Sequence, residues 1–114
     1  MKLYGITNCT TVKKARTWLE EQGQTYEFHD FKKLSVSHEL LQTWMSQTGW
    51  ETLLNRQGTT WRKLDAATQA GIVDAESAMA LMQAQPSIIK RPVLDKDGRI
   101  FVGFKPELYE SLFQ

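Results

Sequence analysis

Hydrophobic and polar residues alternate near the N-terminus and then change to a helical spacing. Residues 2–6 (KLYGI) alternate as in a short strand. From residue 12 onward the apolar positions form one helical stripe: Val12, Ala15, Trp18 and Leu19. The polar turn between strand and helix offers Asn8 or Thr10 as the helix cap, and Gly23 is expected to end the helix with a left-handed cap.

The next segments continue this alternation of element types. Residues 25–31 (TYEFHDF) alternate aromatic with polar side chains and predict a second strand. The helix between the two strands is long enough for a right-handed crossover, so the strands are expected to pair in parallel.

The middle of the chain is helical. Ser37 is expected to cap a helix with the stripe Leu40, Leu41, Trp44 and Met45, and the apolar character continues at Trp50, Leu53 and Leu54. Asp74 is expected to cap a further helix that carries Ala78, Met79, Leu81 and Met82 and that Pro86 closes.

The C-terminal part returns to strands. Residues 92–94 and 100–102 are apolar runs on either side of the turn 95–98, and its Asp-Gly step predicts a hairpin. Pro106 is expected at the first position of a final helix, whose inward positions are Leu108, Leu112 and Phe113. The order β-α-β, helices, β-β-α predicts an α/β fold with a small mixed sheet and a helical segment of about 50 residues between its halves.

Composition and charge narrow the function. A chain of 114 residues with 41% hydrophobic and 24% charged residues suits one globular domain, and its apolar runs are too short to cross a bilayer. The N-terminus has no signal-peptide pattern, so a cytoplasmic location is expected. A net charge of +1 does not favour nucleic acid as a partner. The lone cysteine excludes an internal disulfide, and His29 and His38 lack the spacing of a metal-ligand pair.

Cys9 is the clearest candidate for a chemical role. A free cysteine is often a small core residue, but Cys9 stands in the polar run Thr-Asn-Cys-Thr-Thr directly ahead of a helix. Backbone N–H groups and the helix dipole at that position favour the nucleophilic thiolate. Lys13 and Lys14 follow one turn later and add positive charge. We therefore expect Cys9 to be a reactive thiol with a lowered pKa.

Four short motifs, in order along the chain, resemble the ArsC/Spx family. They are Tyr-Gly-Ile-x-x-Cys-x-x-x-Lys-Lys-Ala-Arg at 4–16, Leu-Asn-Arg around Arg56, Lys-Arg-Pro-Val around Arg91, and Gly-Phe-Lys-Pro at 103–106. Together they extend the resemblance over nearly the whole chain, which is most similar to the YffB-type branch. The resemblance implies one thioredoxin-like domain over 1–114, with a core of about 1–36 and 86–114 and a helical insertion of about 37–85.

The resemblance also implies roles for individual residues. Arsenate reductases of this family use one cysteine as nucleophile, and Cys9 occupies that position. Their three oxyanion-binding arginines correspond to Arg56, Arg91 and Lys105. The lysine at position 105 keeps the positive charge but lacks the two parallel N–H donors with which arginine binds a tetrahedral oxyanion. Spx-type regulators typically carry Cys-x-x-Cys, whereas Val12 stands at the second cysteine position here.

The Arg91–Pro92 bond is a further structural candidate. A bond before proline is the one kind for which the cis form costs little. The resemblance, together with the position of Pro92 at the start of a strand, predicts a cis bond here. In a thioredoxin-like fold the loop that holds this bond faces the reactive cysteine.

Three functions remain open at this point. The first is a glutathione-dependent thiol oxidoreductase that passes through a mixed disulfide at Cys9, since a lone cysteine needs an external thiol to regenerate it. Glutathione is the expected thiol co-substrate, its carboxylates suit the three cations, and glutaredoxin is a further candidate partner. The second is an arsenate reductase of the glutathione/glutaredoxin type, and the third is a non-enzymatic Spx-like interaction protein. We expect a monomer with no tightly bound cofactor, metal ion or membrane attachment.

Overall fold

A computed structural model describes residues 1–114 as a mixed α/β structure. The elements are β1 Lys2–Gly5, α1 Thr10–Glu21, β2 Glu27–Asp30, α2 Phe31–Leu34, α3 His38–Thr48, α4 Trp50–Leu53, α5 Thr59–Arg62, α6 Ala66–Ala70, α7 Ala75–Ala84, a 3₁₀ turn Pro86–Ile88, β3 Val93–Lys96, β4 Arg99–Val102 and α8 Pro106–Leu112. The predicted order of strands and helices is confirmed. No helix is both long enough and apolar enough to cross a bilayer.

The chain divides into two compact units. The first consists of residues 1–31 and 91–114, and the second of residues 32–90. The first unit contains all four strands and the two helices α1 and α8. The second contains helices α3 to α7 and the 3₁₀ turn. The predicted helical insertion, about 37–85, begins a few residues after the start of the second unit and ends a few residues before its end.

The sheet of the first unit has the strand order β2-β1-β3-β4. Strands β1 and β2 are parallel, with Lys2 opposite Glu27. Strand β3 is antiparallel to both β1 and β4. The predicted parallel crossover and the predicted hairpin are therefore both confirmed. Strand β2 is shorter than the predicted 25–31, because Phe31 begins α2 with its side chain fully buried.

The hairpin turn is tighter than predicted. Strand β3 continues to Lys96 and β4 begins at Arg99, so the turn consists of Asp97 and Gly98 alone, not of 95–98. Both turn residues have positive φ, 54° and 88°, as a two-residue Asp-Gly turn favours. The carboxylate of Asp95 accepts a hydrogen bond from the N–H of Gly98 at 2.9 Å, which further stabilises the turn.

The end of α1 follows its sequence signal. Gly23 has φ +68° and donates its N–H to the carbonyl of Glu20 at 3.1 Å. The next residue, Gln24, donates to the carbonyl of Leu19 at 2.9 Å. These two bonds form the Schellman motif that a glycine after a helix permits, so the predicted left-handed cap is confirmed.

The core of the first unit includes a residue that the helical pattern did not identify. Its fully buried cluster consists of Leu3, Ala15, Leu19, Leu94 and Tyr109. The predicted inward residues of the last helix, Leu108, Leu112 and Phe113, pack against this cluster but are only partly buried. The Tyr109 ring lies edge-on to Trp18 and to Phe104, with centroids 5.6 and 4.7 Å apart. Burial raises the pKa of Tyr109, and its hydroxyl has no hydrogen-bond partner.

In the second unit, α3, α4 and α7 pack on one another. Both predicted caps are confirmed. The Ser37 hydroxyl accepts from the N–H of Leu40 at 3.1 Å, and the Asp74 carboxylate accepts from the N–H of Ser77 at 2.8 Å. The buried residues of this unit are Val36, Leu41, Trp44, Leu53, Leu54, Ala78, Leu81, Met82, Ile88 and Ile89.

Candidate functional site

Cys9 is the N-cap residue of α1. Its backbone is extended, with φ −107° and ψ 125°, and its carbonyl accepts the first helical hydrogen bond from the N–H of Lys13 at 3.0 Å. The prediction of an Asn8 or Thr10 cap is wrong, because the chain enters the helix at Cys9 and Thr10 is already the first helical residue. The Cys9 side chain makes no capping hydrogen bond. The free N–H groups of the first turn are therefore available to a thiolate.

The start of α1 is held closely against the end of β1. Gly5 is the last residue of β1, and a Cβ atom there would lie only 2.8 Å from Cγ2 of Val12. Val12 belongs to the first turn of α1 and is fully buried. A glycine is therefore needed for this close approach, which fixes where the turn that carries Cys9 leaves the sheet.

The surroundings of Cys9 favour its charged form. Burial of the half-buried thiol raises its pKa, but three groups act in the opposite direction. The backbone N–H of Val12 and the hydrogen-bonding guanidinium of Arg91 lower it, and the charge of Arg91 and the N–H of Thr11 lower it further. The net result is a Cys9 pKa below its ordinary value, as the sequence predicts.

The cation that acts on Cys9 is therefore Arg91. Lys13 and Lys14 follow in α1 as predicted, but both are exposed and neither is among the groups that shift the pKa of the thiol. The sequence alone did not identify the N–H groups of Thr11 and Val12 as groups that act on the thiol. Their signal is positional, since the second and third residues after an N-cap donate to its side chain.

Arg91 precedes Pro92 through a cis peptide bond, the geometry that the sequence predicts. The carbonyl of Pro92 accepts a hydrogen bond from the N–H of Gly103 at 2.8 Å. This bond joins the segment of Arg91 to the loop before α8. Lys105 lies in that loop as the exposed N-cap residue of α8, and Pro106 takes the first helical position as predicted.

Arg56 belongs to the second unit and has a different setting. It is exposed in the loop between α4 and α5, and its guanidinium lies over the rings of Trp50 and Trp61, 5.5 and 5.7 Å from their centroids. The preceding Asn55 fixes the loop, since its N–H donates to the carbonyl of Ile88 at 2.9 Å. The cation–π contacts hold the arginine side chain in place.

The four predicted site residues thus divide into two groups. Cys9 and Arg91 come together, with the guanidinium close enough to hydrogen-bond the sulfur. Lys105 lies in the same unit, on a loop bonded to the Arg91 segment, and Arg56 lies in the other unit. The roles of Arg56, Arg91 and Lys105 in binding a substrate stay predictions.

Comparison with known proteins gives a consistent assignment. The family model described as the ArsC family matches residues 4–112. A solved structure of a YffB protein shares 53% identity, covers 96% of this chain and 96% of its own, and superposes with a TM-score of 0.91. An arsenate reductase (ArsC) related protein from Brucella melitensis also shares 53% identity, with a TM-score of 0.78 and coverage of 99% and 93%.

A curated relative supports the same assignment. An uncharacterized protein from Haemophilus influenzae is 35% identical over 111 residues, which are 97% of this chain and 96% of the relative. The likeness therefore extends over nearly the whole length of both chains. The sheet order, the position of Cys9 at the start of α1 and these matches agree, and the fold is thioredoxin-like. The chain belongs to the ArsC family.

Proposed function

We propose that this protein is a glutathione-dependent thiol oxidoreductase that acts through a mixed disulfide at Cys9. The observation that carries the proposal is the lowered pKa of Cys9 at the start of α1, beside Arg91. The thiolate is the form that attacks disulfides, and a lowered pKa increases the fraction of thiolate at a given pH. Membership of the ArsC family supports thiol chemistry at this position.

The proposed reaction has two exchange steps. The Cys9 thiolate attacks the glutathione sulfur of a mixed disulfide R–S–S–G, so that a Cys9–S–S–G bond forms and R–S⁻ leaves and takes a proton from water. A glutathione thiolate then attacks the glutathione sulfur bound to Cys9, which releases oxidised glutathione and restores the Cys9 thiolate. The mixed disulfide is reduced and one added glutathione is oxidised, so the electrons balance. With one cysteine in the chain, the second thiol has to come from outside.

Cations have two separate tasks in this proposal. Arg91 stabilises the thiolate before attack and when Cys9 leaves in the second step, because a more stable thiolate is a better leaving group. Arg56, Arg91 and Lys105 are proposed to bind the carboxylates of glutathione. A carboxylate can bind to the guanidinium group of arginine through two hydrogen bonds and to the ammonium group of lysine through its charge.

A coupled assay tests the proposal. Wild type and Cys9→Ser are compared in the reduction of the mixed disulfide of glutathione and 2-mercaptoethanol, with glutathione reductase and NADPH consuming the oxidised glutathione. We expect turnover by wild type and only background by Cys9→Ser, together with a glutathione adduct on wild type alone by mass spectrometry. Equal rates for the two proteins, or no adduct on Cys9, would overturn the proposal.

Arsenate reduction is a second candidate function, favoured by the Brucella melitensis protein described as related to arsenate reductase. In that reaction two glutathione molecules supply two electrons to arsenate and yield arsenite, water and oxidised glutathione. Lys105 stands where the reductases have a third arginine, and a lysine cannot grip two oxygens in one plane. We therefore expect Lys105→Arg to raise arsenate turnover more than disulfide turnover, with Lys105→Ala as the control that weakens both. Equal responses of arsenate and disulfide turnover to Lys105→Arg would argue against an oxyanion role for residue 105.

A further inference from the structure

One face of α1, the helix that has Cys9 as its N-cap residue, lines a shallow cleft. The cleft has a volume of about 390 Å³ and is largely open to solvent. Its lining residues on α1 follow the i, i+3, i+4 spacing of one helical face: Thr10, Lys13, Lys14, Thr17, Trp18 and Glu21. Thr10 follows Cys9 directly, so the cleft starts at the nucleophile end of the helix.

The other residues that line the cleft are apolar. They are Phe104, in the loop before α8, and Pro106, the first residue of α8. Trp18 and Phe104 both make edge-on contacts with the buried ring of Tyr109. The core of the first unit therefore holds the side chains of Trp18 and Phe104 in place, and these two rings form an apolar surface in the cleft.

The rim of the cleft is charged unevenly. Lys13 and Lys14 are exposed near the Cys9 end, and neither has a hydrogen-bond or ion-pair partner among the side chains of the protein. Glu21 lies at the opposite end of the lined face. An acidic group close to the reacting sulfur therefore complements this rim, and an acidic group far from it does not.

The length of the cleft decides the size of its ligand. From Thr10 to Glu21 the helix rises about 16 Å, at about 1.5 Å per residue. An extended polypeptide covers that distance in about five residues, at about 3.3–3.6 Å each. Glutathione has one residue on either side of its cysteine, so with its sulfur at Cys9 it cannot extend along the whole face. The cleft is long enough for a polypeptide that continues beyond its own cysteine.

We propose that this cleft binds a polypeptide segment next to a cysteine, so that the physiological R–S–S–G substrate is a glutathionylated protein or peptide. An acidic residue beside the cysteine lies near Lys13 and Lys14, and an apolar residue further along packs on Trp18, Phe104 and Pro106. This inference rests on the proposed function, and it assigns the substrate class of the same reaction.

Single-turnover exchange with matched peptides tests the inference. Reduced protein is mixed with glutathione disulfides of Leu-Gly-Asp-Cys-Asp-Gly-Leu, of its lysine counterpart Leu-Gly-Lys-Cys-Lys-Gly-Leu, and of Gly-Gly-Asp-Cys-Asp-Gly-Gly, with oxidised glutathione as the short reference. The peptides are symmetric about the cysteine, so either chain direction can occupy the cleft. Loss of the mixed disulfide, followed by mass spectrometry, gives a second-order rate constant for each substrate.

We expect the acidic leucine peptide to react fastest. Its rate should exceed that of the lysine peptide by about tenfold and those of the glycine peptide and oxidised glutathione by about threefold or more. Lys14→Glu should lower the acidic-to-basic ratio by about threefold to tenfold, as exposed charge pairs are worth up to about 1 kcal/mol each. Lys2→Glu makes the same charge change on β1, outside the cleft, and should leave the ratio unchanged. Thr17→Trp, which fills the cleft, should abolish the advantage of leucine over glycine.

The outcomes separate the two proposals. Equal rates for all peptides and oxidised glutathione, or equal effects of Lys14→Glu and Lys2→Glu on the ratio, would overturn the peptide cleft while leaving the thiol reaction intact. Failure of glutathione to regenerate Cys9 after the first exchange would overturn the proposed function. The ratios measured in that single exchange still report on the cleft, because they do not depend on regeneration.

Discussion

The two units of the chain place an arginine in two different physical settings. In the first unit, Arg91 is half-buried and acts on the sulfur of Cys9 through a hydrogen bond and through its charge. In the second unit, Arg56 is exposed and lies over two tryptophan rings. Arg91 thus changes the chemistry of a neighbouring group, whereas the contacts of Arg56 hold its own side chain. Replacing Arg91 therefore tests the cause of the lowered Cys9 pKa, whereas replacing Arg56 does not.

Two glycines, one in each unit, also lie in different surroundings. Gly5 in the first unit faces Val12 at a distance that no Cβ atom tolerates. Gly71 in the second unit has ordinary right-handed backbone geometry, and its nearest neighbours would be 3.4 Å or more from a Cβ atom. The turn that carries Cys9 is therefore closely constrained, and the end of α6 is not.

The largest expected effect concerns this pair of glycines. Gly5→Ala should lower the free energy of unfolding by about 1–3 kcal/mol, because the added methyl overpacks against the buried Val12. Gly71→Ala should leave it unchanged or raise it by about 0.4–1 kcal/mol, through the lower entropy of the unfolded chain. Urea unfolding of both variants measures the difference. If the cause is steric, Gly5→Ala should cost less stability in a Val12→Ala background than in wild type. An equal cost in the two backgrounds would contradict a steric cause.

The second prediction compares the two arginines. Arg91→Ala should raise the pKa of Cys9 and lower kcat/KM for disulfide reduction at neutral pH by about tenfold. This is the low end for a charge-assisted hydrogen bond, because both groups are partly exposed. Arg56→Ala should leave the Cys9 pKa unchanged and act through KM for an anionic substrate.

Arg91→Lys serves as the control in this comparison, since it keeps the charge and should keep part of the pKa shift. Thermal unfolding of each variant separates loss of fold from loss of function. An equal rise in the Cys9 pKa with Arg56→Ala and Arg91→Ala would contradict the distinction drawn between the two arginines.

Local sequence signals account for most of the elements that were predicted correctly. Ser37, Asp74, Gly23 and Pro106 each act within a few residues, so their effects are visible in the sequence. The short helices between residues 50 and 70 have no strong periodicity, and α5 and α6 have no buried residue, so no apolar stripe marks them in the sequence. Tyr109 was missed for a related reason: a residue with a hydroxyl is not expected at a fully buried position without a hydrogen-bond partner.

The candidate site was predictable in part. The position of Cys9 ahead of a helix and the Arg-Pro pair are local features of the sequence. That Arg91 and not Lys13 or Lys14 acts on the thiol depends on β3 lying beside β1 in the sheet, which brings distant parts of the chain together. The cleft along α1 depends on Phe104 and Pro106, which are distant in sequence, and its residue Trp18 belongs to the apolar stripe that predicts the buried face of the helix.

The pKa of Cys9 tests the central claim most directly. The rate of iodoacetamide alkylation of the native protein, followed from about pH 4 to pH 10, reports the fraction of thiolate, and the urea-unfolded chain supplies the reference. The lowered pKa predicts that alkylation of the folded protein reaches its plateau at lower pH than in the unfolded chain, with a midpoint below the ordinary value of about 8.5. A midpoint at or above that of the unfolded chain would contradict an activated thiolate at Cys9 and remove the basis of the proposed function.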